Sequence, residues 1–224
     1  MTTRPGATDQ LRLPLQADLP AGADGFVVSD CNRAAVQALA DWPNLIGGVM
    51  ALCGPAGCGK SRLARIWAER TGAMPLDGVE AALADPLELE GRCVLLDRAQ
   101  DADDETLFHL INLSLSGGGA LLLVSRGVPK SWSAALPDLR SRLDAIVTTA
   151  MEAPDEAVLA AILTARFAER GIAPPAEVID YLVYRIDRSA EAAQAAVAAL
   201  DALHRPVTRA LARQVIEANN EMFD

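Results

Sequence analysis

The chain alternates between short stretches that are apolar on both faces and longer ones that are apolar on one. "LIGGVMALCGP", "CVLLD" and "ALLLVS" are near-continuous apolar runs, the pattern of strands buried on both sides in a parallel sheet, and "AIVTTAM" reads as a fourth strand. "KSRLARIWAERTG" and "DETLFHLINLSLSGGG" repeat with helical spacing and end in glycine, the first at Gly72. "FVVSDCNRAAVQALADW" predicts a short extended lead-in, a polar cap around Ser29 and Asn32, and a helix carrying Ala35, Val36, Leu39 and Trp42 at helical spacing. Strand and helix in turn predict a parallel α/β sheet joined by right-handed crossovers. From about Ala153 the strand pattern stops. "DEAVLAAILTARFAERG", "PAEVIDYLVYRID", "SAEAAQAAVAALDALH" and "TRALARQVIEANNEMF" predict four helices separated by Gly, Pro and Ser breaks. Residues 1–24 hold no sustained period and predict a mobile tail. The expected organisation is a tail over 1–24, an α/β nucleotide-binding domain over 25–152 and a small all-helical domain over 153–224.

Composition narrows the function classes. The 224 residues suffice for one or two small domains with buried cores, and 51% hydrophobic content with few aromatics favours a helix-rich globular protein. A formal net charge of −10 works against tight, sequence-independent DNA binding, which needs clustered Lys and Arg. Cys31, Cys53, Cys58 and Cys93 show no paired CxxC spacing and read as reduced thiols. With no signal-peptide core and no membrane-length apolar run, the expected location is cytoplasmic.

The chemistry concentrates in "GPAGCGKS", residues 54–61, which satisfies GxxxxGK[ST] between a predicted strand and a predicted helix. In that context the loop Gly54, Pro55, Ala56, Gly57, Cys58 and Gly59 forms a phosphate cradle from its backbone N–H groups, Pro55 having none. Lys60 reaches the terminal phosphates, the Ser61 hydroxyl can ligate Mg²⁺, and Arg62 belongs to the same nucleotide-binding set. Asp97, closing "CVLLD", supplies the companion acid for Mg²⁺. The neighbouring position, where efficient P-loop ATPases usually carry a water-orienting carboxylate, is Arg98, which stays protonated. Asp101 is the alternative acid within reach. The sequence thus promises nucleotide binding more firmly than hydrolysis.

Several polar residues admit two readings. Ser125, at the tip of "ALLLVS", either senses the γ-phosphate or simply terminates a strand. Arg140 and Arg142 in "LPDLRSRLDAIV" are either solvated charges or a guanidinium supplied to a neighbour's nucleotide site. Arg185 and Arg188 either fold over the phosphates or pair with Asp187 or Glu191. His109 and His204 have no metal-ligand spacing.

In their order, "FVVSDCNRAA", "GPAGCGKS", "CVLLD", "LLLVS", "LPDLRSRL" and the four-helix block resemble the AAA+ P-loop NTPase module of the bacterial initiator DnaA. They are more closely similar to the DnaA-related regulators of the Hda (HdaA) family, over residues 24–224. DnaA itself continues into a helix-turn-helix DNA-binding domain, whereas this chain ends at Asp224. The resemblance therefore implies a regulator without sequence-specific DNA binding of its own. Hda proteins carry an N-terminal peptide for the DNA polymerase sliding clamp, and "QLRLPL" matches it: Gln10 for a hydrogen bond, Leu11, Leu13 and Leu15 as apolar anchors, Pro14 to limit conformational loss. Three buried leucines are worth roughly 5–9 kcal/mol before ordering costs. Capping of the chain's own α/β domain is the other reading of the same residues.

The resemblance further implies ADP or ATP with Mg²⁺ as cofactor, and the clamp and DnaA as partners, with self-association also open. It gives Arg142 the role of an arginine finger in the DnaA ATP site, and Arg188 that of lid sensor, although "DRSAEAAQA" departs from the family pattern. The implied activity is stimulation of ATP hydrolysis on DnaA near the nucleoid, with weak ATPase of its own. The competing expectation is a self-sufficient ATPase of the helicase-loader or transposition-helper type. A small-molecule P-loop kinase ranks below both, because the four-helix block stands where phosphoacceptor inserts would be needed.

Overall fold

The computed structural model describes residues 26–42, 48–117 and 119–221. The expected clamp peptide, residues 10–15, lies outside them. Five parallel strands form one sheet: β1 (Gly48–Cys53), β2 (Met74–Asp77), β3 (Cys93–Asp97), β4 (Ala120–Ser125) and β5 (Val147–Ala150), ordered β2-β3-β4-β1-β5. The alternation of side chains along β1, β3 and β4 divides the core into two layers. Met50, Leu52, Leu95, Leu122 and Val124 face α1 (Arg33–Asp41) and α2 (Lys60–Thr71). Ala51, Cys53, Val94, Leu96, Leu121 and Leu123 face α4 (Asp104–Ser116) and α5 (Pro137–Ala145), with Leu89 of the short α3 (Pro86–Leu89) joining this layer.

The apolar pattern predicts four strands, and the structure adds β2. "MPLD" escapes the pattern because it is an edge strand, half-buried and interrupted by Pro75, a residue tolerated only where one side of the strand is unpaired. It nevertheless pairs in register with β3, Asp77 opposite Asp97.

Local hydrogen bonds fix the lead-in, and longer-range ones tie α1 to α2. Asn32 is buried, but its amide turns away from the helix: Ser29 N–H donates to its Oδ1 at 2.9 Å and its Nδ2 donates to the Val27 carbonyl at 2.9 Å. Trp42 ends α1 in extended conformation and stacks on Trp67 of α2, ring centroids 5.1 Å apart, while Trp67 Nε1 donates to the Trp42 carbonyl at 3.2 Å. Arg70 donates to the Leu39, Ala40 and Trp42 carbonyls, so a side chain of α2 satisfies the open carbonyl end of α1.

The four expected C-terminal helices are α6 (Glu156–Ala168), α7 (Ala176–Val183), α8 (Ala190–Asp201) and α9 (Arg209–Glu221). They surround their own core, with Leu159, Leu163, Phe167, Val178, Leu182 and Val197 fully buried. The strap from β5 into α6 is held against the sheet: Met151 N–H donates to the Cys53 carbonyl at 2.8 Å and Glu152 N–H to the Cys31 carbonyl at 2.9 Å. Asp155 then caps α6 by accepting from Val158 N–H at 3.0 Å. Its burial favours the neutral acid, but hydrogen bonds from Ser29, Val158 and Cys31 outweigh this and hold its pKa below the usual carboxylate value.

Because the folded-state pKa of Asp155 is depressed, its ionised form stabilises the fold above the unfolded aspartate value of about 3.9, and that contribution is lost as pH falls through the folded value. Asp155→Ala is expected to lower stability at pH 7 by about 1–2 kcal/mol in urea titration. The deficit should shrink on acidification below pH 4. Asp155→Asn, which keeps a capping oxygen without the charge, should lose less and show a flatter pH profile.

Candidate functional site

Because every strand is parallel, the C-terminal tips of β3, β4 and β1 share one edge of the sheet, where open α/β folds bind ligands. The loop between β1 and α2 leaves this edge through glycines that no other residue replaces. At Gly54 a Cβ would stand 2.3 Å from the Met151 carbonyl oxygen, so the loop and the strap pack backbone to backbone. Gly57 and Gly59 have φ of +68° and +97°, left-handed values that let the chain coil into the start of α2. Pro55 and Ala56 form the exposed crest, and Cys58 is buried beneath it.

Gly59 caps α2 without a side-chain acceptor, and the first turn holds no acid. The leading amides of a twelve-residue helix are therefore left to the loop, a setting that favours anions. Lys60 is buried, and its Nζ folds back to the Pro55 carbonyl at 2.6 Å and Cys58 Sγ at 3.6 Å. Ser61 is exposed and Arg62 half-buried on the next positions of the helix. Phe26 from the lead-in and Met151 from the strap flank the loop at Gly59, their side chains 3.8 and 3.6 Å from where a Cβ would lie. Phe26 and Met151 carried no sequence signal, because both reach the loop only through tertiary packing.

The tips beside the loop are arranged as follows. Asp97 ends β3, with its Oδ1 accepting from Arg98 N–H at 2.9 Å. Arg98 itself adopts φ of +53°, and its guanidinium grips Asp77 through Nε to Oδ2 at 2.8 Å and Nη2 to Oδ1 at 2.5 Å. This hydrogen-bonded pairing holds the Asp77 pKa down and raises that of Arg98. Since β2 and β4 lie on opposite sides of β3, Arg98 turns away from the P-loop rather than toward it. Asp101 accepts from Gln100 Nε2 at 3.1 Å and joins the same charge cluster around Arg98. Ser125 lies opposite Cys53 in register, between Asp97 and the P-loop. It is buried; its hydroxyl donates to the Gly127 carbonyl at 2.8 Å, and its oxygen lies within hydrogen-bond reach of Cys53 Sγ at 3.4 Å. Burial pushes the pKa of the adjacent Cys53 thiol up, as suits an unreactive cysteine.

The arginine pair on α5 separates by geometry. Arg140 donates to the Lys130 carbonyl at 3.0 Å and to the Trp132 carbonyl, which fixes it to its own chain. Arg142 is exposed and makes no hydrogen bond or ion pair among the described residues.

On the helical side, Arg185 lies over the Tyr181 ring at 5.7 Å, in a groove of about 850 Å³ between α7 and α9. Arg188 pairs with Glu156 of α6 at 3.4 Å rather than with Asp187 or Glu191. The residues that do meet the P-loop are the next three. Ala190 N–H donates to the Gly57 carbonyl at 3.0 Å, and Ser189 and Glu191 pack against Gly57. The sequence marks Glu191 only as an ion-pair partner, since nothing local says which turn of α8 reaches the loop.

The site's chemistry suits a nucleoside phosphate: a side-chain-free loop, a helix start without acids, a lysine and a hydroxyl, with Asp97 two strands away. Among the described residues no group of three or more His, Cys, Asp or Glu gathers to hold a metal alone. A Mg²⁺ ion would thus rely on Ser61, Asp97 and the phosphates together.

No family model matches the chain. Over 121 residues, 52% of the chain, it is 27% identical to the chromosomal replication initiator protein DnaA of Thermomicrobium roseum, and the matched part is 26% of that protein. The chain therefore spans about a quarter of the length of the curated relative it matches. Domain III of Thermotoga maritima DnaA superposes with TM-score 0.69 at 21% identity, over 86% of this chain and 94% of that one. AMPPCP-bound DnaA from Aquifex aeolicus gives 0.62 at 20% identity, over 79% and 63%. The Thermotoga maritima RuvB Holliday junction branch migration motor gives 0.65 at 15%, over 89% and 72%. The chain thus has the AAA+ P-loop NTPase fold, a five-stranded parallel sheet flanked by helices, as found in domain III of DnaA and in RuvB.

Proposed function

We propose that this chain is a nucleotide-dependent regulator of chromosome replication initiation of the Hda type, which binds the sliding clamp and stimulates ATP hydrolysis on DnaA. The observation that carries the reading is the division of labour among its arginines. Arg98 occupies the place of a water-orienting acid and is tied to Asp77, so the chain is better equipped to hold a nucleotide than to hydrolyse it. Arg142, two residues beyond the immobilised Arg140 and so on a different face of α5, stands exposed as a guanidinium offered outward. An arginine supplied in trans to a phosphoryl-transfer site accelerates it by about 10³–10⁵.

In this reading the P-loop, Lys60 and Ser61, with Asp97, hold ADP or ATP and Mg²⁺. Lys60 would leave the Pro55 carbonyl for a phosphate, and Ser125 would accept or relay a hydrogen bond at the strand tips. Residues 10–15 tether the protein to the clamp, whose ring offers several copies of one groove, so a weak peptide gains by multivalency. DNA contact then comes through the clamp and not through this acidic chain.

In a reconstituted assay with DnaA-ATP and clamp loaded on DNA, Arg142→Ala is expected to keep nucleotide and clamp binding while losing essentially all stimulation, at least about 10³-fold in rate. Undiminished stimulation would remove Arg142 from the role. Gln10→Ala combined with Leu11→Ala should abolish retention of the chain on immobilised clamp; equal retention would remove the clamp from the proposal. Lys60→Ala should lose nucleotide binding in equilibrium titration. Substantial steady-state ATP turnover by the isolated chain, unaffected by clamp or DnaA, would favour a self-sufficient ATPase instead.

A further inference from the structure

Glu191 sits where a phosphate-binding loop least accommodates it. A Cβ placed on Gly57 would lie 1.8 Å from Glu191 Oε2, 2.9 Å from its Cδ and 2.8 Å from Ser189 Cβ. The carboxylate therefore rests directly on the loop, and Gly57 is the position that leaves room for it. The contact is pinned from both sides. Ala190 N–H donates to the Gly57 carbonyl at 3.0 Å, and the Ser189 hydroxyl caps α8 by accepting from Ala192 N–H at 3.0 Å, which fixes the first turn that carries Glu191. Among the described residues no cation pairs with Glu191: Arg188, the neighbour best placed to do so, goes to Glu156 instead. Lys60, the loop's own cation, is turned to Pro55 and Cys58.

We infer that Glu191 is a charge gate on the P-loop: its carboxylate opposes the phosphates of a bound nucleotide and disfavours a triphosphate more than a diphosphate. The inference rests on the reading that residues 54–61 hold a nucleotide. A carboxylate against the phosphate-bearing loop raises the energy of each negative charge brought there, and a triphosphate brings more than a diphosphate. The first turn of α8, which carries Glu191 against Gly57, must accommodate either nucleotide. Binding is thereby coupled to the position of the helical block, since the hydrogen bond from Ala190 and the Glu191 contact are made by the same turn. A regulator built this way favours the product nucleotide without needing to cleave ATP itself.

The experiment measures the affinities of the full chain and its Glu191→Gln and Glu191→Arg variants for ADP and ATP with Mg²⁺, by calorimetry at 50 and 300 mM salt, with Lys60→Ala alongside. Glu191→Gln is expected to tighten ATP about tenfold and ADP less, and Glu191→Arg to tighten ATP further. The wild-type deficit should narrow at the higher salt, because screening weakens a charge effect and leaves a packing effect in place. The thermal midpoint of each variant, read alongside, verifies folding, and Gln at the first turn of α8 costs only a fraction of the helix-dipole term. If wild type binds and Glu191→Gln binds both nucleotides equally or more weakly, the gate is overturned and the nucleotide reading stands. If none of the folded proteins binds either nucleotide, the nucleotide reading itself fails and takes the gate with it.

Discussion

Bare backbone at Gly54 and Gly57 governs how three parts of the structure meet. At Gly54 it lets the strap after β5 come within backbone contact of the loop, and at Gly57 it lets the first turn of α8 do the same. A methyl group at either position would separate the P-loop from one of these segments. The sheet edge, the strap and the helical block therefore meet at one small region of bare backbone. A group held by the loop would thus lie beside all three.

Charge placement around that region differs from side to side. On the β2 side, Arg98 at a left-handed backbone position reaches Asp77 and gathers Asp97 and Asp101 around itself, so an acidic strand edge is neutralised by the residue least able to act as a base. On the helical side an acid, Glu191, meets the loop where a phosphate binder would be expected to offer a cation. The two departures act in the same direction. Under the proposed function, one removes a means of activating water, and the other sets a negative charge against any phosphate held by the loop.

The outer surface repeats the separation of roles within a single helix. Arg140 and Arg142 are two residues apart on α5 and therefore point in different directions; one is bound to carbonyls of the preceding turn and the other is presented to solvent. Their local sequence pattern alone does not distinguish them. Arg185 and Arg188 show the same divergence, the first on a tyrosine ring in the α7–α9 groove and the second on Glu156.

The sequence by itself determined the P-loop, four of the five strands and all four C-terminal helices, because each is set by local periodicity, by glycine chemistry or by a cap that lies within a few residues. It also placed Asp97, Ser125 and Lys60 at strand tips or a helix start, since a parallel sheet leaves its carboxyl ends on one edge. Only the tertiary structure decided the edge strand β2, whose four residues gain their order from pairing with β3. It alone decided which arginines are committed and which acid touches the loop. Asp77 and Arg98 are twenty-one residues apart, Arg188 and Glu156 thirty-two, and Gly57 and Glu191 belong to different cores. Such pairings depend on how packed elements are oriented in space, and no spacing along the chain encodes that.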